Sequence, residues 1–138
     1  MSEPSWAALR REVYTRAKGI CEYCQTAEAN TGQIMEIEHI VPNGGDGLDN
    51  LCLACGNCNR SKASATFALD PLTSESVPLF NPRTQVWVEH FQWSANKTFV
   101  EGISPIGRAT VGRLRMNNTR VVLARARWRI AGFHPPNV

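Results

Sequence analysis

The chain lacks the features that define several protein classes. Nowhere in its 138 residues is there a run approaching about 18 consecutive apolar residues, so we expect no segment to span a bilayer. It shows no internal repeat and no low-complexity segment. Its hydrophobic fraction of 43% and charged fraction of 20% are ordinary for a globular protein. Together these values exclude a disordered tail, a collagen-like rod and a coiled coil.

The N-terminus also lacks the pattern of a signal peptide. Residues 1–5 have neither a basic start nor an apolar core. We therefore expect a cytoplasmic protein whose five cysteines remain reduced. In such a compartment, metal binding is a commoner use of cysteine than disulfide formation.

Charge is distributed unevenly along the chain. Residues 1–70 carry six Lys and Arg against nine Asp and Glu, a net charge of −3, and contain every cysteine. Residues 71–138 carry nine against three, a net charge of +6, and are rich in arginine. We predict that 1–70 forms a functional core and that 71–138 packs on it to complete one compact domain.

Periodicity and turn residues predict an α+β fold. The predicted elements are a helix over 5–18, a strand within 34–41, a short strand over 50–54, a helix starting near 55, a linker over 70–83, a hairpin of 85–93 with 98–103, and helices over 105–116 and 119–131. In the last helix Val121, Ala124, Trp128 and Ala131 follow helical spacing. We expect them to face the core and the arginines to cover the outside.

Two pairs of cysteines indicate a metal site. Cys21 and Cys24 form one CxxC pair, and Cys55 and Cys58 form a second, with 30 residues between the two pairs. Two such pairs complete a tetrahedron around Zn²⁺, and a four-cysteine site has no open position, so this zinc would be structural. Buried small hydrophobes and a redox pair are the alternatives. Cys52 falls outside the pattern and is predicted to be a buried free thiol.

An ordered string of residues runs between and around these cysteines. It consists of Cys21-x2-Cys24, Glu38-His39-Ile40-Val41-Pro42, Gly44-Gly45, Asp49-Asn50-Leu51 and Cys55-x2-Cys58-Asn59-x2-Lys62. The string covers about residues 9–63 and resembles the HNH endonucleases, in particular their four-cysteine branch. The resemblance implies a ββα-metal nuclease core that hydrolyses phosphodiester bonds of duplex DNA. Residues 64–138 match no DNA-binding motif.

The resemblance implies roles for four residues. His39 corresponds to the general base that acts on the attacking water, and Glu38 to the acidic residue that binds a divalent cation. Asn50 corresponds to the residue that organises the loop and holds the strand carrying the base. Asn59 stands where the family more often has His, and it still offers a side-chain oxygen to the cation.

The ligand types at these positions predict which cation is used. Glu38 and Asn59 both offer oxygen, which favours Mg²⁺ or Mn²⁺ over Zn²⁺ at the catalytic position. Neighbours on a regular strand point to opposite faces. Glu38 and His39 can therefore serve one phosphate only if the strand bends before Pro42.

Basic residues are the predicted contacts to DNA, because the −3 core would by itself repel a polyanion. The candidates are Arg60, Lys62, Arg108, Arg113, Arg120 and Arg127. A solvated helix face is the alternative for the arginines. His90 is predicted to be a packed or hydrogen-bonded histidine, with an accessory site role as the alternative.

Two other functions remain open at this point. One is a non-catalytic zinc-knuckle module that binds DNA or protein, and the other is a nuclease that acts on RNA. A binding module needs the four cysteines but has no use for the catalytic string, so the string favours the nuclease. The sequence does not distinguish a monomer from a homodimer.

Overall fold

The computed structural model describes residues 3–137. Met1, Ser2 and Val138 lie outside the described residues, and the first two of them belong to the segment on which the signal-peptide prediction rests. The predicted α+β class is confirmed. The helices and strands are α1 (Trp6–Ala17), α2 (Glu28–Thr31), β1 (Glu36–His39), β2 (Leu51–Ala54), α3 (Gly56–Lys62), β3 (Phe67–Leu69), β4 (Ser76–Pro78), β5 (Phe91–Trp93), β6 (Val100–Gly102), α4 (Pro105–Arg113) and α5 (Thr119–Ile130). The strands pair as three separate antiparallel hairpins, β1 with β2, β3 with β4 and β5 with β6.

The hairpin of β1 and β2 lies at the centre of the acidic half. All four residues of β2 are buried, so this strand contacts protein on both faces. The helix α1 packs on β2, and α3 contacts β1. Leu9 and Val13 are the buried positions of α1, which Ser5 caps by accepting a hydrogen bond from the backbone N–H of Ala8. The two helices therefore contact different strands of the same hairpin.

The segment predicted as a linker over 70–83 contains a strand. β4 pairs with β3, and Asp70 builds the turn between them. Its carboxylate accepts hydrogen bonds from the backbone N–H of Leu72 and the hydroxyl of Thr73, both at 3.0 Å. Pro78 lies at the end of β4, a position where a sheet tolerates the missing N–H. The prolines of this segment indicated a linker, so the sequence did not predict this strand of three residues.

The hairpin of β5 and β6 is shorter than the predicted hairpin of 85–93 with 98–103, and its backbone packs closely against α4. A 3-10 turn, Trp87–Glu89, replaces the middle of the first predicted strand. A Cβ on Gly107 would lie 1.9 Å from the backbone oxygen of His90, so only glycine allows α4 to approach this closely. His90 itself bonds Ser104 at 2.6 Å and packs edge-on against Phe80, as predicted for a packed histidine.

Helix α5 corrects one prediction about the arginines. Arg125 is 1% exposed and lies inside the protein. Its guanidinium donates to the carbonyl oxygens of Thr98 and Met116 at 2.8 and 2.6 Å and lies over the Trp93 ring. These acceptors compensate the loss of water. The expectation that every arginine covers the outside is therefore wrong for Arg125.

The apolar spacing of α5 is only partly reflected in burial. Val121, Ala124 and Trp128 are half-buried, whereas Ala131 follows the end of the helix and is exposed. Arg125 takes the fully buried position of this helix.

Buried and half-buried polar contacts join the two halves of the chain. Arg108 donates two hydrogen bonds of 2.9 Å to the fully buried Asp70, and this guanidinium lowers the pKa of the carboxyl. Arg83 pairs with Glu22 across the same boundary. The hydrophobic core also combines residues from both halves. No helix within residues 3–137 is long and apolar enough to cross a membrane.

Candidate metal and catalytic site

The four cysteines of the two CxxC pairs converge. The sulfur atoms of Cys21, Cys24, Cys55 and Cys58 all lie within 4.8 Å of one another, and those of Cys24 and Cys55 are 3.6 Å apart. Four thiolates bound tetrahedrally at about 2.3 Å from Zn²⁺ are themselves about 3.8 Å apart. The spacing of this cluster therefore fits the ion, and the cluster could bind zinc.

The surroundings of these sulfurs also suit a cation. The backbone N–H groups of Cys24 and Cys58 point at the sulfurs of Cys21 and Cys55, at 3.5 and 3.4 Å. Burial raises the pKa of the Cys21 thiol well above its usual value. A divalent cation would reverse that effect, because it stabilises the thiolate form directly.

Cys52 lies apart from the cluster, as predicted for a free thiol. It is fully buried and donates to the Oε2 atom of Glu38 at 3.3 Å. Burial raises the pKa of this thiol well above its usual value, with the Glu38 carboxylate acting in the same direction. Cys52 is therefore a neutral neighbour of Glu38.

Glu38 points into the core toward α3. Its side chain is 3% exposed, and its Oε1 atom lies 2.7 Å from the ammonium of Lys62. Its Oε2 atom accepts a hydrogen bond of 2.8 Å from the hydroxyl of Tyr23. Both carboxylate oxygens are thus engaged by protein donors. These contacts do not fit a cation at Glu38 in the arrangement that the structure describes.

Lys62 corrects the prediction that it contacts a DNA phosphate. The residue is 1% exposed, and its ammonium also donates to the backbone oxygen of Ile40 at 3.0 Å. A phosphate cannot reach a nitrogen that is buried between Glu38 and the end of β1. The last turn of α3 faces the hairpin, so Lys62 stabilises the core instead.

Asn59 meets a different carboxylate from the one predicted. Its side-chain nitrogen donates to Oε1 of Glu36 at 2.8 Å, one turn of α3 before Lys62. The side chain of Glu36 is 41% exposed, and Arg60 lies 3.9 Å from its other oxygen. The sequence offered Glu36 as part of the same strand, but only the packing of α3 on β1 places it beside Asn59.

His39 lies on the other side of the hairpin from Glu38. Its Nε2 atom is 2.7 Å from an oxygen of Asp46, and its ring stacks with Trp6 of α1. The side chain is 34% exposed, so solvent reaches it. The pairing of β1 with β2 runs through position 39 without a bulge. Glu38 and His39 therefore point to opposite faces of β1. One phosphate can contact both side chains only at the end of this strand.

Asn50 holds the glycine-rich loop that follows β1. Its side-chain oxygen accepts from the N–H of Val41, and its side-chain nitrogen donates to the carbonyl oxygens of Val41 and Gly45, all at 2.9 Å. A Cβ on Gly44 would lie 2.8 Å from that nitrogen. These contacts give Asn50 a loop-holding position, and its importance for catalysis stays a prediction.

Of the five predicted DNA-contacting arginines, three are exposed on α3 and α5, and two are bonded to other protein groups. Arg60 and Arg120 line one open cleft between α3 and α5, together with Arg115. Arg127 is exposed on α5. The other two are occupied by protein, since Arg108 pairs with Asp70 and Arg113 donates to backbone oxygens of residues 61 and 62.

The buried pair of Glu38 and Lys62 leads to a stability prediction. Lys62→Met should lower the free energy of unfolding by about 3–5 kcal/mol, because it leaves the Glu38 carboxylate buried without its partner. Adding Glu38→Gln to that variant should restore most of the loss. Arg60→Ala removes an exposed cation from the same helix and should cost less than about 0.5 kcal/mol.

Urea unfolding of the four proteins checks this prediction. A Lys62→Met variant as stable as Arg60→Ala would show that the pair contributes nothing to the core.

Comparison with known proteins identifies the segment that carries these features. Residues 21–65 match the family described as HNH endonuclease. No curated protein and no solved structure was found to match the chain. The matched segment begins at the first cysteine of the cluster and ends after α3, so it contains both cysteine pairs, the hairpin of β1 and β2, and the glycine loop. Over residues 21–65, this chain is therefore similar to the HNH endonucleases.

Proposed function

We propose that the chain is a metal-dependent endonuclease that hydrolyses phosphodiester bonds of duplex DNA, and that it acts in the cytoplasm. The match of residues 21–65 to the HNH endonucleases carries this proposal. The four-cysteine cluster within that segment serves as a structural zinc site. It ties the turn after α1 to the start of α3.

His39 is the proposed general base. Imidazole is the usual side chain for this task near neutral pH, and His39 is accessible to solvent at the end of β1. It removes a proton from water as that water attacks phosphorus. Its half-exposed position supports this role, since a fully buried histidine could not receive a phosphodiester of a duplex.

A hard divalent cation, Mg²⁺ or Mn²⁺, is proposed to bind between β1 and α3. When bound, it would act as a Lewis acid on the phosphoryl oxygens and on the leaving oxygen. Asn59 is the proposed ligand on α3. Glu36, which it contacts, is the more accessible of the two candidate carboxylates, whereas Glu38 is the one next to His39 in β1. Binding at Glu38, the ligand expected from the sequence, would require Lys62 to withdraw from it.

Metal titration of variants distinguishes these carboxylates without measuring cleavage. In calorimetry with Mn²⁺, Glu36→Gln and Asn59→Ala should weaken binding to the zinc-loaded protein. Glu38→Gln should weaken it only if the cation displaces Lys62. A Glu36→Gln variant that binds Mn²⁺ like the unaltered protein would exclude Glu36 as a ligand.

The open cleft between α3 and α5 is the proposed path of the DNA backbone. Three arginines line it, namely Arg60, Arg115 and Arg120. Arg60 lies 3.9 Å from Glu36, one of the proposed carboxylate ligands, so phosphates held in this cleft would lie near the proposed cation. Arginine binds phosphate through planar, paired donors, which suits such a path.

The proposal predicts a specific pattern of metal content and activity. Purified protein should contain about one Zn²⁺ per chain, because four cysteines form one closed site. Relaxation of supercoiled plasmid should still require added Mg²⁺ or Mn²⁺. Brief EDTA treatment should stop cleavage reversibly while the fold persists, since hard cations on few protein ligands exchange readily.

A panel of substrates then tests the function itself. The zinc-loaded protein is incubated with plasmid, single-stranded DNA and RNA in the presence of Mg²⁺ or Mn²⁺. Cleavage of plasmid at the highest rate supports the proposal, whereas a preference for RNA overturns the substrate. If the folded, zinc-loaded protein binds DNA but cleaves none of the substrates, it is a binding module instead. Folded protein without zinc would refute the structural site.

A further inference from the structure

We infer that Asp46 and Trp6 position His39, and that the nitrogen which takes the proton from water is Nδ1. This inference rests on the proposed function, because it specifies how His39 acts as the base. It assigns positioning roles to Asp46, in the loop that follows β1, and to Trp6 of α1. The helix α1 precedes the segment that matches the HNH endonucleases.

The contact with Asp46 determines which ring nitrogen is free. An oxygen of Asp46 lies 2.7 Å from Nε2 of His39. An ionised carboxylate can only accept hydrogen bonds, so Nε2 must carry the proton in this contact. A neutral imidazole has one protonated nitrogen, which leaves Nδ1 with the free lone pair. The base must therefore act through Nδ1.

Trp6 fixes the plane of the same ring. The indole and imidazole rings lie within 7° of parallel, with their centroids 6.1 Å apart. Stacked aromatic rings attract at this separation. The first turn of α1 thus covers one face of His39, while Asp46 holds one edge. A flip of the ring about its Cβ–Cγ bond, which would put Cε1 in the place of Nε2, has to break the contact with Asp46 and disrupt the stack on the way.

The glycine-rich loop explains how Asp46 reaches the ring. Gly45 precedes it with φ +88°, a conformation that favours glycine. Asn50 holds that residue by donating to its carbonyl oxygen at 2.9 Å. The position of Asp46 is thus set by the loop rather than by burial, because its side chain is 70% exposed. Asn50 acts on His39 through this loop.

A surface ion pair with no consequence is the alternative account of this contact. Exposed pairs contribute little to stability, so a melting curve cannot distinguish the two accounts. The positioning role predicts instead a defined tautomer and a loss confined to turnover. Both are measurable on the full chain loaded with zinc.

The first measurement is the tautomer of His39. Long-range proton–nitrogen correlation spectra of protein labelled in its histidines report which ring nitrogen carries the proton. At a pH where the ring is neutral, the unaltered protein should show the proton on Nε2, and Asp46→Ala should show a mixture. A proton on Nδ1 in the unaltered protein would overturn the inference.

The second measurement is plasmid cleavage at several substrate concentrations. Asp46→Ala should lower kcat about tenfold to hundredfold, the loss typical when a metal-binding histidine loses its hydrogen-bond partner, with KM nearly unchanged. Asp46→Glu should recover part of the rate. Glu12→Ala removes the same charge from an exposed position on α1 and should leave kcat unchanged.

The stack with Trp6 is tested in the same assay. Trp6→Phe retains an aromatic face and should keep more activity than Trp6→Ala. Equal rates for the two Trp6 variants and the unaltered protein would exclude the stack from the mechanism.

His39→Ala separates failure of this inference from failure of the proposed function. If that variant is inactive while Asp46→Ala retains full kcat, the positioning role is overturned alone. If His39→Ala cleaves at the normal rate, His39 is not the base, and both conclusions fall.

Discussion

Replacing His39 with alanine should abolish DNA cleavage while leaving the fold and DNA affinity nearly intact. The change removes the proposed proton acceptor, and general-base catalysis contributes about 10²–10⁴ in rate. His39 is half-exposed, so its loss creates no cavity in the core. Plasmid relaxation, thermal melting and a DNA-binding titration measure the three properties separately.

Val41→Ala is a suitable control for that variant. Val41 follows the same strand and is 46% exposed, and its backbone contacts with Asn50 survive the substitution. It should cleave at close to the normal rate. Normal rates in both variants would refute the assignment of His39, whereas loss in both would point to the strand end as a whole.

Cys58→Ala should have the largest effect on stability and should remove activity as well. Cys58 is fully buried in the four-cysteine cluster. Structural zinc contributes about 10–16 kcal/mol in zinc-finger peptides, as much as the whole stability of a typical domain. Because Cys58 lies in the first turn of α3, losing the ion also releases Asn59 and the rest of that helix. We expect a protein that melts far lower and retains no zinc.

Cys52→Ala is the matched control for this prediction. Cys52 is equally buried but lies outside the cluster, so its replacement should cost only about 1 kcal/mol and leave the zinc content unchanged. Melting curves and metal analysis of both variants give the comparison. A Cys58→Ala protein as stable as Cys52→Ala, with zinc still bound, would contradict a structural role for the cluster.

Substitutions at Asn59, which follows Cys58, should change cleavage with little change in stability. Asn59→Ala should lower cleavage without a large change in melting temperature, because it removes one proposed ligand of the catalytic cation. Asn59→His, the commoner residue of the family, should keep measurable activity and shift the preference toward softer ions such as Mn²⁺, Co²⁺ or Ni²⁺. Normal cleavage by Asn59→Ala would show that Asn59 is no ligand.

The parts of the fold that were predictable depend on local sequence. The cysteine spacing of the two CxxC pairs indicated a shared metal site, and the four sulfurs do converge. Periodicity and turn residues likewise predicted a helix over 5–18, and α1 spans Trp6–Ala17. In each case the interacting residues lie close in sequence or carry a distinctive side chain.

The parts that were not predictable depend on distant partners. Lys62 looks like a solvated cation in a short helix, yet a carboxylate 24 positions earlier draws it into the core. Arg125 is buried because carbonyl oxygens of Thr98 and Met116 surround its guanidinium. Asp46 resembles an ordinary turn residue, and only the folded loop places it on His39. No periodic pattern reports such pairings.

The most direct test of the account is a time course of plasmid nicking by zinc-loaded protein in Mg²⁺, followed by DNA ligase. Hydrolysis by water with departure of the 3′ oxygen leaves ends that ligase can seal. We therefore predict nicks that form only with the added cation, that ligase closes, and that His39→Ala does not produce. Nicks that form without the cation, that resist ligase, or that His39→Ala produces equally well would contradict the account.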